Sequence, residues 1–222
     1  MKLVLDTANL EKIESYLDYL PVDGVTTNPS ILKLEGKIDV AEQMKEVRRL
    51  IGKDKSLHVQ VVAEDYEGMI RDANNILDSI DSDVYLKIPT SKAGLAAIKT
   101  LKAEGVNVTA TAIYSKIQAL LALELGADYL APYVNRMSNL NSDPYDLIRT
   151  VSKQIEVKDS ETRILSASFK NINQVVSAVE AGSSHVTVSA DVIDTFLANA
   201  NISKATSDFA KDWYSIHNKY EF

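Results

Sequence analysis

The stretch Val84–Pro89 (VYLKIP) decides the predicted fold, because its residues alternate with the two-residue period of a β-strand. Its first, third and fifth residues are apolar and form a face that we expect to pack against helices. Tyr85 and Lys87 then point to the opposite face. A barrel interior built only for stability would carry Val, Ile or Leu there, so this strand is expected to serve a site.

Short apolar strands alternate with helix-like segments along the whole chain. This alternation predicts right-handed strand–helix–strand units, a parallel sheet and the α/β class. Eight such units in 222 residues are close to the minimum for a single (β/α)8 TIM barrel over residues 1–222, with a doubly wound open sheet as the alternative. The predicted strands are Leu3–Thr7, Gly24–Asn28, Leu57–Ala63, Val84–Pro89, Val106–Ala112, Tyr129–Tyr133, Ile164–Phe169 and His185–Ser189.

The C-terminal segment 203–222 is left over after the eighth unit. Its pattern predicts an additional helix, Ser203–Tyr220, which begins with a serine cap. Five of the aromatic residues of the chain lie in Phe209–Phe222, and we expect so much aromatic surface to be covered. The segment then packs either on the rim of its own barrel or on a neighbouring subunit.

The composition excludes several classes of protein. The chain has no cysteine, which rules out a disulfide scaffold, a cysteine nucleophile and a Cys-ligated metal centre. Lys+Arg 24 against Asp+Glu 31 gives a net charge of −7, which argues against a nucleic-acid partner. Neither a signal peptide nor an apolar run of roughly 18–20 residues is found, so no membrane contact and a cytoplasmic location are expected.

Polar side chains gather at the C-terminal ends of the predicted strands, where barrel enzymes have their active sites. Strand seven is expected to direct Ser166 and Ser168 inward, and Leu165 and Ala167 toward the helices. Convergence of many polar groups on one rim is difficult to explain by structure alone and indicates a site. The converging residues are Asp6, Asn28, Gln60, Lys87, Thr111, Tyr133 and Ser168.

Lys87 carries the most specific chemistry of this set. A lysine inside a barrel loses hydration, which favours the neutral amine, and a neutral amine attacks carbonyl groups to form Schiff bases. The alternative is a charged Lys87 held in a buried ion pair with Asp6, the only inward carboxylate of the predicted strands. The spacing leaves both interpretations open.

The remaining polar residues suit a polyhydroxylated and phosphorylated substrate. Asp6 could orient a hydroxyl group or move protons beside the Schiff base. Gln60 does not titrate, but it can hold a water together with Thr111 and Tyr133. Arg136 directly follows strand six, and with Ser168 it is a candidate phosphate clamp, although a rim salt bridge would also explain it.

Short motifs at these positions resemble the small-subunit transaldolase family, which includes class I fructose-6-phosphate aldolases. The resemblance covers essentially the whole chain in order, and GVTTNPS at 24–30 and LKIP at 86–89 are its most specific motifs. It implies a (β/α)8 barrel with the Schiff-base lysine on strand four, here Lys87, and with neither a metal nor another cofactor. The other motifs are Leu5–Ala8, Thr111–Tyr114, Ala131–Arg136 and Ala167–Lys170.

The resemblance also implies roles for individual residues. Asp6 and Asn28 would contact the dihydroxyacetone portion of the substrate. Arg136 and Ser168 would bind its phosphate. The catalytic water would be held by Gln60, Thr111 and Tyr133, and the substrate-binding set would further include Thr26 and Ala131.

Three departures place the chain nearer to the aldolase branch of that family. Transaldolases generally carry Glu where this chain has Gln60, Phe where it has Tyr133 and Asn where it has Thr109. The resemblance therefore implies reversible cleavage of fructose 6-phosphate to dihydroxyacetone and glyceraldehyde 3-phosphate. Transfer of the dihydroxyacetone unit between sugar phosphates is the alternative. The resemblance also implies a homo-oligomer, a decamer of two pentamers, in which segment 203–222 packs on a neighbouring subunit.

Two functions of other classes stay open from the residues alone. A metal-dependent lyase is one, although His58, His185 and His217 lie on different elements without metal-site spacing. A non-catalytic sugar-phosphate-binding barrel is the other, with Lys87 as a phosphate ligand. Nucleotide binding has little support, because neither common glycine-rich phosphate motif occurs.

Overall fold

A computed structural model describes all residues, 1–222, as a closed barrel of eight parallel strands. Each strand pairs with its sequence neighbours, and β8 closes the ring on β1 through Lys2–His185 to Asp6–Ser189 pairing. The predicted (β/α)8 fold is therefore confirmed, and the open sheet is excluded. The strands are β1 (Lys2–Asp6), β2 (Val22–Thr26), β3 (Ser56–Gln60), β4 (Tyr85–Pro89), β5 (Val108–Ile113), β6 (Tyr129–Pro132), β7 (Arg163–Ser166) and β8 (His185–Ser189).

Eleven α-helices surround or follow the barrel, and a 3₁₀ turn lies at Lys33–Glu35. Two short helices, α2 and α7, follow β2 and β6 and were not predicted from the sequence. The helices are α1 (Leu10–Leu17), α2 (Pro29–Leu32), α3 (Val40–Ile51), α4 (Tyr66–Ser79), α5 (Lys92–Ala103), α6 (Lys116–Glu124), α7 (Val134–Asn139), α8 (Pro144–Val157), α9 (Ile172–Glu180), α10 (Ala190–Leu197) and α11 (Ala200–His217).

The main core lies between the strands and the helix ring, and it contains 42 buried apolar residues. Helix α3 shows how the sequence builds it. Asp39 caps its first turn by accepting from the Glu42 backbone N–H, and the helical repeat buries Met44, Val47 and Ile51. Burial of each such side chain stabilises the fold by roughly 1.5–3 kcal/mol.

A second, smaller core fills the barrel toward the N-terminal ends of the strands. Val4, Tyr129 and Leu165 pack there, with Tyr85 against them. The expected orientation of strand seven is therefore wrong, because Leu165 points into the barrel. Ser166 points outward to the helix side, where it accepts a hydrogen bond from Ser183 Oγ at 2.8 Å.

The C-terminal helix is present, but its predicted start is wrong. Helix α11 begins at Ala200 and is capped by Asn199, so Ser203 lies inside it. None of its residues is buried, and Phe209 is 70% exposed, so the helix does not cover the rim of its own barrel. A membrane-spanning helix is not found, since none of the helices combines the required length with sufficient hydrophobicity.

Candidate active site

A cavity of about 530 Å³ opens at the C-terminal ends of the strands. This is the end at which parallel β/α barrels place their ligand sites. Six of the predicted site residues line it: Asp6, Asn28, Lys87, Tyr133, Arg136 and Ser168. Gln60, Thr26, Thr111 and Ala131 lie outside its lining. Thr26 and Thr111 are nevertheless hydrogen-bonded to lining residues, as described below.

Lys87 reaches the cavity from the middle of β4, and only 4% of its surface is exposed. Its Nζ donates one hydrogen bond, to the Thr27 carbonyl at 2.8 Å, and it forms no ion pair with Asp6. Burial lowers the pKa of the Lys87 ammonium, an effect that Asp6 opposes and Arg136 reinforces. The geometry therefore favours an accessible amine over the buried ion pair that the sequence left open.

Asp6 ends β1 beside Lys87, and it is half-buried. The hydroxyl of Thr26 donates to its Oδ1 at 2.7 Å. Burial raises the pKa of the Asp6 carboxyl, while the charges of Lys87 and Arg136 act in the opposite direction. Burial thus moves both Asp6 and Lys87 toward their uncharged forms, as expected for a pair that exchanges protons during a reaction.

Asn28 is held in place by the short helix α2. Its side-chain oxygen caps that helix by accepting from the backbone N–H groups of Ser30 and Ile31, at 2.9 and 3.1 Å. Pro29 at the first helical position fixes the turn. The two N–H donors of the Asn28 amide stay free for a ligand in the cavity.

Thr111 and Tyr133 form one wall of the site through a hydrogen bond of 2.9 Å between their hydroxyl groups. A β-bulge between Ala110 and Ile113, where β5 has one more residue than β6, positions Thr111. Within it Ala112 has a φ of 54°. Gln60 lies beside Lys87 in the β3–β4 register, and its buried Oε1 has no protein partner. An acceptor in this state suits a bound water.

Arg136 lies on the short helix α7, immediately after β6. Its guanidinium group stands over the Tyr133 ring, 4.6 Å from the centroid, and it donates to the Tyr114 hydroxyl at 3.3 Å. No carboxylate neutralises it, so the rim salt bridge considered from the sequence is absent. Ser168 faces the same cavity from a left-handed backbone with a φ of 63°, and its carbonyl accepts from the Asn135 N–H at 2.9 Å.

Some lining residues were missed by sequence reasoning. Thr187 on β8 hydrogen-bonds to Thr26 at 2.6 Å, and its inward position follows from the β-strand alternation that was applied to the other strands. Asn9 and Glu35 close the opposite wall through a 3.2 Å bond, for which no sequence signal exists. Ala131 is buried on β6, and its role stays a prediction.

No group of three or more His, Cys, Asp or Glu side chains that could hold a metal ion is present. Around the buried amine of Lys87, the site brings together the carboxylate of Asp6, an arginine without a carboxylate partner, and several hydroxyls and amides, while Glu35 and Asp191 lie elsewhere in the lining. Fold and site together define a parallel β/α barrel with a buried lysine at its ligand-binding end.

Comparison with known proteins agrees with this description. The family model described as Transaldolase/Fructose-6-phosphate aldolase matches residues 3–221, and the chain belongs to this family of enzymes. It is 50% identical over 218 residues to a "Probable fructose-6-phosphate aldolase" of Streptococcus pneumoniae, covering 98% of each chain. It is 36% identical over 219 residues to a "Probable transaldolase" of Methanococcus maripaludis, covering 99% of this chain and 100% of the relative.

Proposed function

We propose that the protein is a class I aldolase that reversibly cleaves fructose 6-phosphate to dihydroxyacetone and glyceraldehyde 3-phosphate through a Schiff base on Lys87. The burial of Lys87 without a carboxylate partner carries the proposal. Burial and the lowered pKa increase the fraction of free amine, which is the nucleophilic form. The relative at 50% identity, named a probable fructose-6-phosphate aldolase, supports the same reaction.

The reaction begins when the Lys87 amine attacks C2 of the substrate, and loss of water from the adduct gives an iminium ion. A base then takes the proton of the C4 hydroxyl. The C3–C4 bond breaks, its electron pair moves into the iminium to form an enamine, and glyceraldehyde 3-phosphate leaves. Protonation of the enamine at C3 and hydrolysis of the resulting iminium release dihydroxyacetone and restore the amine.

We assign the removal of the C4 hydroxyl proton to a water molecule held by Gln60, Thr111 and Tyr133. The bonded hydroxyls of Thr111 and Tyr133 supply donors and acceptors, and the unpartnered Oε1 of Gln60 supplies a further acceptor. Asp6, with its pKa raised by burial, is placed to serve the proton transfers at the carbinolamine stage. Asn28 orients the hydroxyls of the three-carbon unit.

The phosphate group is assigned to Arg136 and Ser168. A guanidinium without a carboxylate partner can make paired hydrogen bonds to a phosphate, and the serine hydroxyl adds a third. The net charge of −7 repels extended polyanions but does not prevent one local cation from holding a single phosphate.

Transfer of the three-carbon unit to another aldose phosphate is the second candidate, since one relative is named a probable transaldolase. The two reactions differ only in the fate of the enamine. Gln60 favours the aldolase, because an amide positions water but does not titrate. We expect Gln60→Glu to raise transfer relative to net cleavage, and an unchanged ratio would remove this basis for the choice.

Two measurements test the proposal. Borohydride reduction in the presence of fructose 6-phosphate should attach the three-carbon unit to Lys87, and an unmodified Lys87 in an active preparation would refute the mechanism. Free dihydroxyacetone should form from fructose 6-phosphate alone. Absence of free dihydroxyacetone, with sedoheptulose 7-phosphate formed once erythrose 4-phosphate is also supplied, would instead identify a transaldolase.

We also propose that the enzyme works as a homo-oligomer, a decamer of two pentamers, in the cytoplasm, where sugar phosphates are retained. The C-terminal segment supports an assembly, because α11 and the residues after it expose Phe209, Ile216 and Tyr220 and contain no buried residue. Removal of residues 200–222 should reduce the number of subunits per particle, as calculated from the mass measured by light scattering. An unchanged number of subunits would contradict this role.

A further inference from the structure

Three hydroxyl- or carboxyl-bearing side chains form a continuous chain inside the barrel, across the point where β8 closes on β1. Thr187 Oγ1 lies 2.6 Å from Thr26 Oγ1, and Thr26 Oγ1 lies 2.7 Å from Asp6 Oδ1. Strand β1 runs between β8 and β2, so Thr187 and Thr26 approach each other from its two sides. Thr187 is 2% exposed and Thr26 is fully buried, so water does not compete for these bonds.

Counting protons fixes the direction of this chain. An ionised carboxylate only accepts hydrogen bonds, so the single proton of the Thr26 hydroxyl is used on Asp6. Thr26 can then only accept from Thr187, and the proton of Thr187 must lie between the two hydroxyl oxygens. A hydroxyl that accepts a hydrogen bond becomes a stronger donor, so Thr187 strengthens the bond that Thr26 makes to Asp6.

The same chain also fits the protonated state of Asp6. A protonated carboxyl can donate to Thr26, whose own proton then turns to the oxygen of Thr187. The chain therefore keeps all three groups hydrogen-bonded whether Asp6 has lost or gained a proton. This property matters for a group that must do both in one catalytic cycle.

We propose that Thr187 is a positioning residue of the active site, whose hydroxyl acts through Thr26 to hold the Asp6 carboxylate and set its readiness to transfer protons. The inference rests on the proposed Schiff-base function and extends it to a residue outside the predicted site. The hydrogen bonds of the chain are stronger when Asp6 is ionised than when it is protonated, so loss of the Thr187 hydroxyl favours the protonated form.

The test uses Thr187→Val, which removes the hydroxyl at nearly constant volume, and Thr187→Ser, which retains it. Thr187→Val should lower kcat about fivefold, the effect of one ordinary hydrogen bond, and should move the acidic limb of the kcat profile to higher pH. Thr187→Ser should restore both. Thr162→Val is the matched control, because Thr162 is another buried threonine whose hydroxyl bonds to a backbone carbonyl, Ala127, away from the cavity.

Three results would overturn the inference: an unchanged profile in Thr187→Val, an equal loss at every pH, or a Thr187→Ser enzyme as impaired as the valine variant. If Thr187→Val does not fold, the pH profile of Thr187→Ser still tests the inference. An altered acidic limb in that variant, which retains the hydroxyl, would contradict the role. Borohydride trapping of the unmodified enzyme distinguishes failure of the proposed function from failure of the inference about Thr187. Absence of a Lys87 adduct there refutes the proposed function, whereas trapping with insensitive Thr187 variants refutes only this inference.

Discussion

The two ends of the barrel interior differ in how their polar side chains are packed. At the N-terminal end, Tyr85, Tyr129 and His58 pack ring against ring, with centroids 4.9–5.0 Å apart. At the C-terminal end, Lys87 and Asp6 face an open cavity with few or no direct charge partners. The aromatic packing stabilises the N-terminal end, whereas the burial of Lys87 and Asp6 at the C-terminal end is unfavourable for stability and suits a ligand-directed role.

Substitution of the amine should give the largest effect. Lys87→Met is expected to lower kcat by about 10⁴-fold or more, since it removes the proposed nucleophile. It should also raise the melting temperature by about 2–4 °C, the shift that 1 kcal/mol produces in a chain of this length, because a desolvated cation is removed. Lys99→Met, at an exposed lysine on α5, is the control. A destabilised Lys87→Met protein would contradict the contrast drawn between the two ends.

A substitution at the packed end should act on stability alone. Leu165→Ala removes a fully buried side chain that contacts Val4 and Tyr129, and it should lower the free energy of unfolding by about 2–5 kcal/mol. Turnover per folded molecule should not change. Urea unfolding measures the free energy of unfolding, and active-site titration allows turnover to be expressed per folded molecule. Val157→Ala, at an exposed position, is the neutral control. Loss of turnover in proportion to stability would show that the two ends are not separable.

Removal of Arg136, the proposed phosphate-binding cation, should act on one substrate class only. Arg136→Met is expected to raise KM for glyceraldehyde 3-phosphate by about 10- to 100-fold in the synthetic direction, because a charged hydrogen bond contributes roughly 1.5–3 kcal/mol. KM for unphosphorylated glyceraldehyde should stay nearly constant. The exposed Arg149→Met serves as the control. Equal losses with both aldehydes would indicate that Arg136 supports the fold of α7 rather than the phosphate.

The smallest expected effect is a pH dependence of stability at the packed end. Burial lowers the pKa of His185 to about 4, against the opposing charge of Asp23, and it lowers the pKa of His58 in the same direction. Below pH 6.5 the unfolded chain therefore binds protons that the folded chain does not. The stability contributed by neutral His185 is complete above about pH 6.5, falls as the pH decreases toward 4, and levels off below that.

Urea midpoints of the unmodified protein and of His185→Gln measure this effect at pH 7 and pH 5. The advantage of the unmodified protein should shrink at pH 5, because only it carries the titrating imidazole. The charges of Lys2 and Arg163, which also face His185, lower its pKa further. A constant difference between the two proteins would contradict the lowered pKa.

The barrel and the position of Lys87 could be predicted because strict alternation along β4 leaves one orientation only. Strand β7 offered no such pattern. Ile164 and Leu165 are adjacent apolar residues, and either could face the helices, so the inward side was assigned to Ser166 incorrectly. Adjacent apolar residues on a strand buried on both faces carry no information about its orientation.

The loops of the site were less predictable than the strands. Helices α2 and α7 have four and six residues, too few for a helical repeat to be visible in the sequence. Yet they position Asn28 and Arg136. The left-handed backbone at Ser168 and the contact between Thr187 and Thr26 depend on packing between distant segments, which no local pattern encodes.

Closure of the barrel through β1 and β8 has a consequence for the newly made chain. Thr26 and Thr187 are 161 residues apart in sequence. At a synthesis rate of 5–20 residues per second, roughly 10–30 seconds separate their appearance on the ribosome. During that interval Asp6 has no complete set of partners, and the edges of β1 and of the most recent strand are unpaired. The nascent chain is therefore exposed to association through those edges until its final strand has emerged.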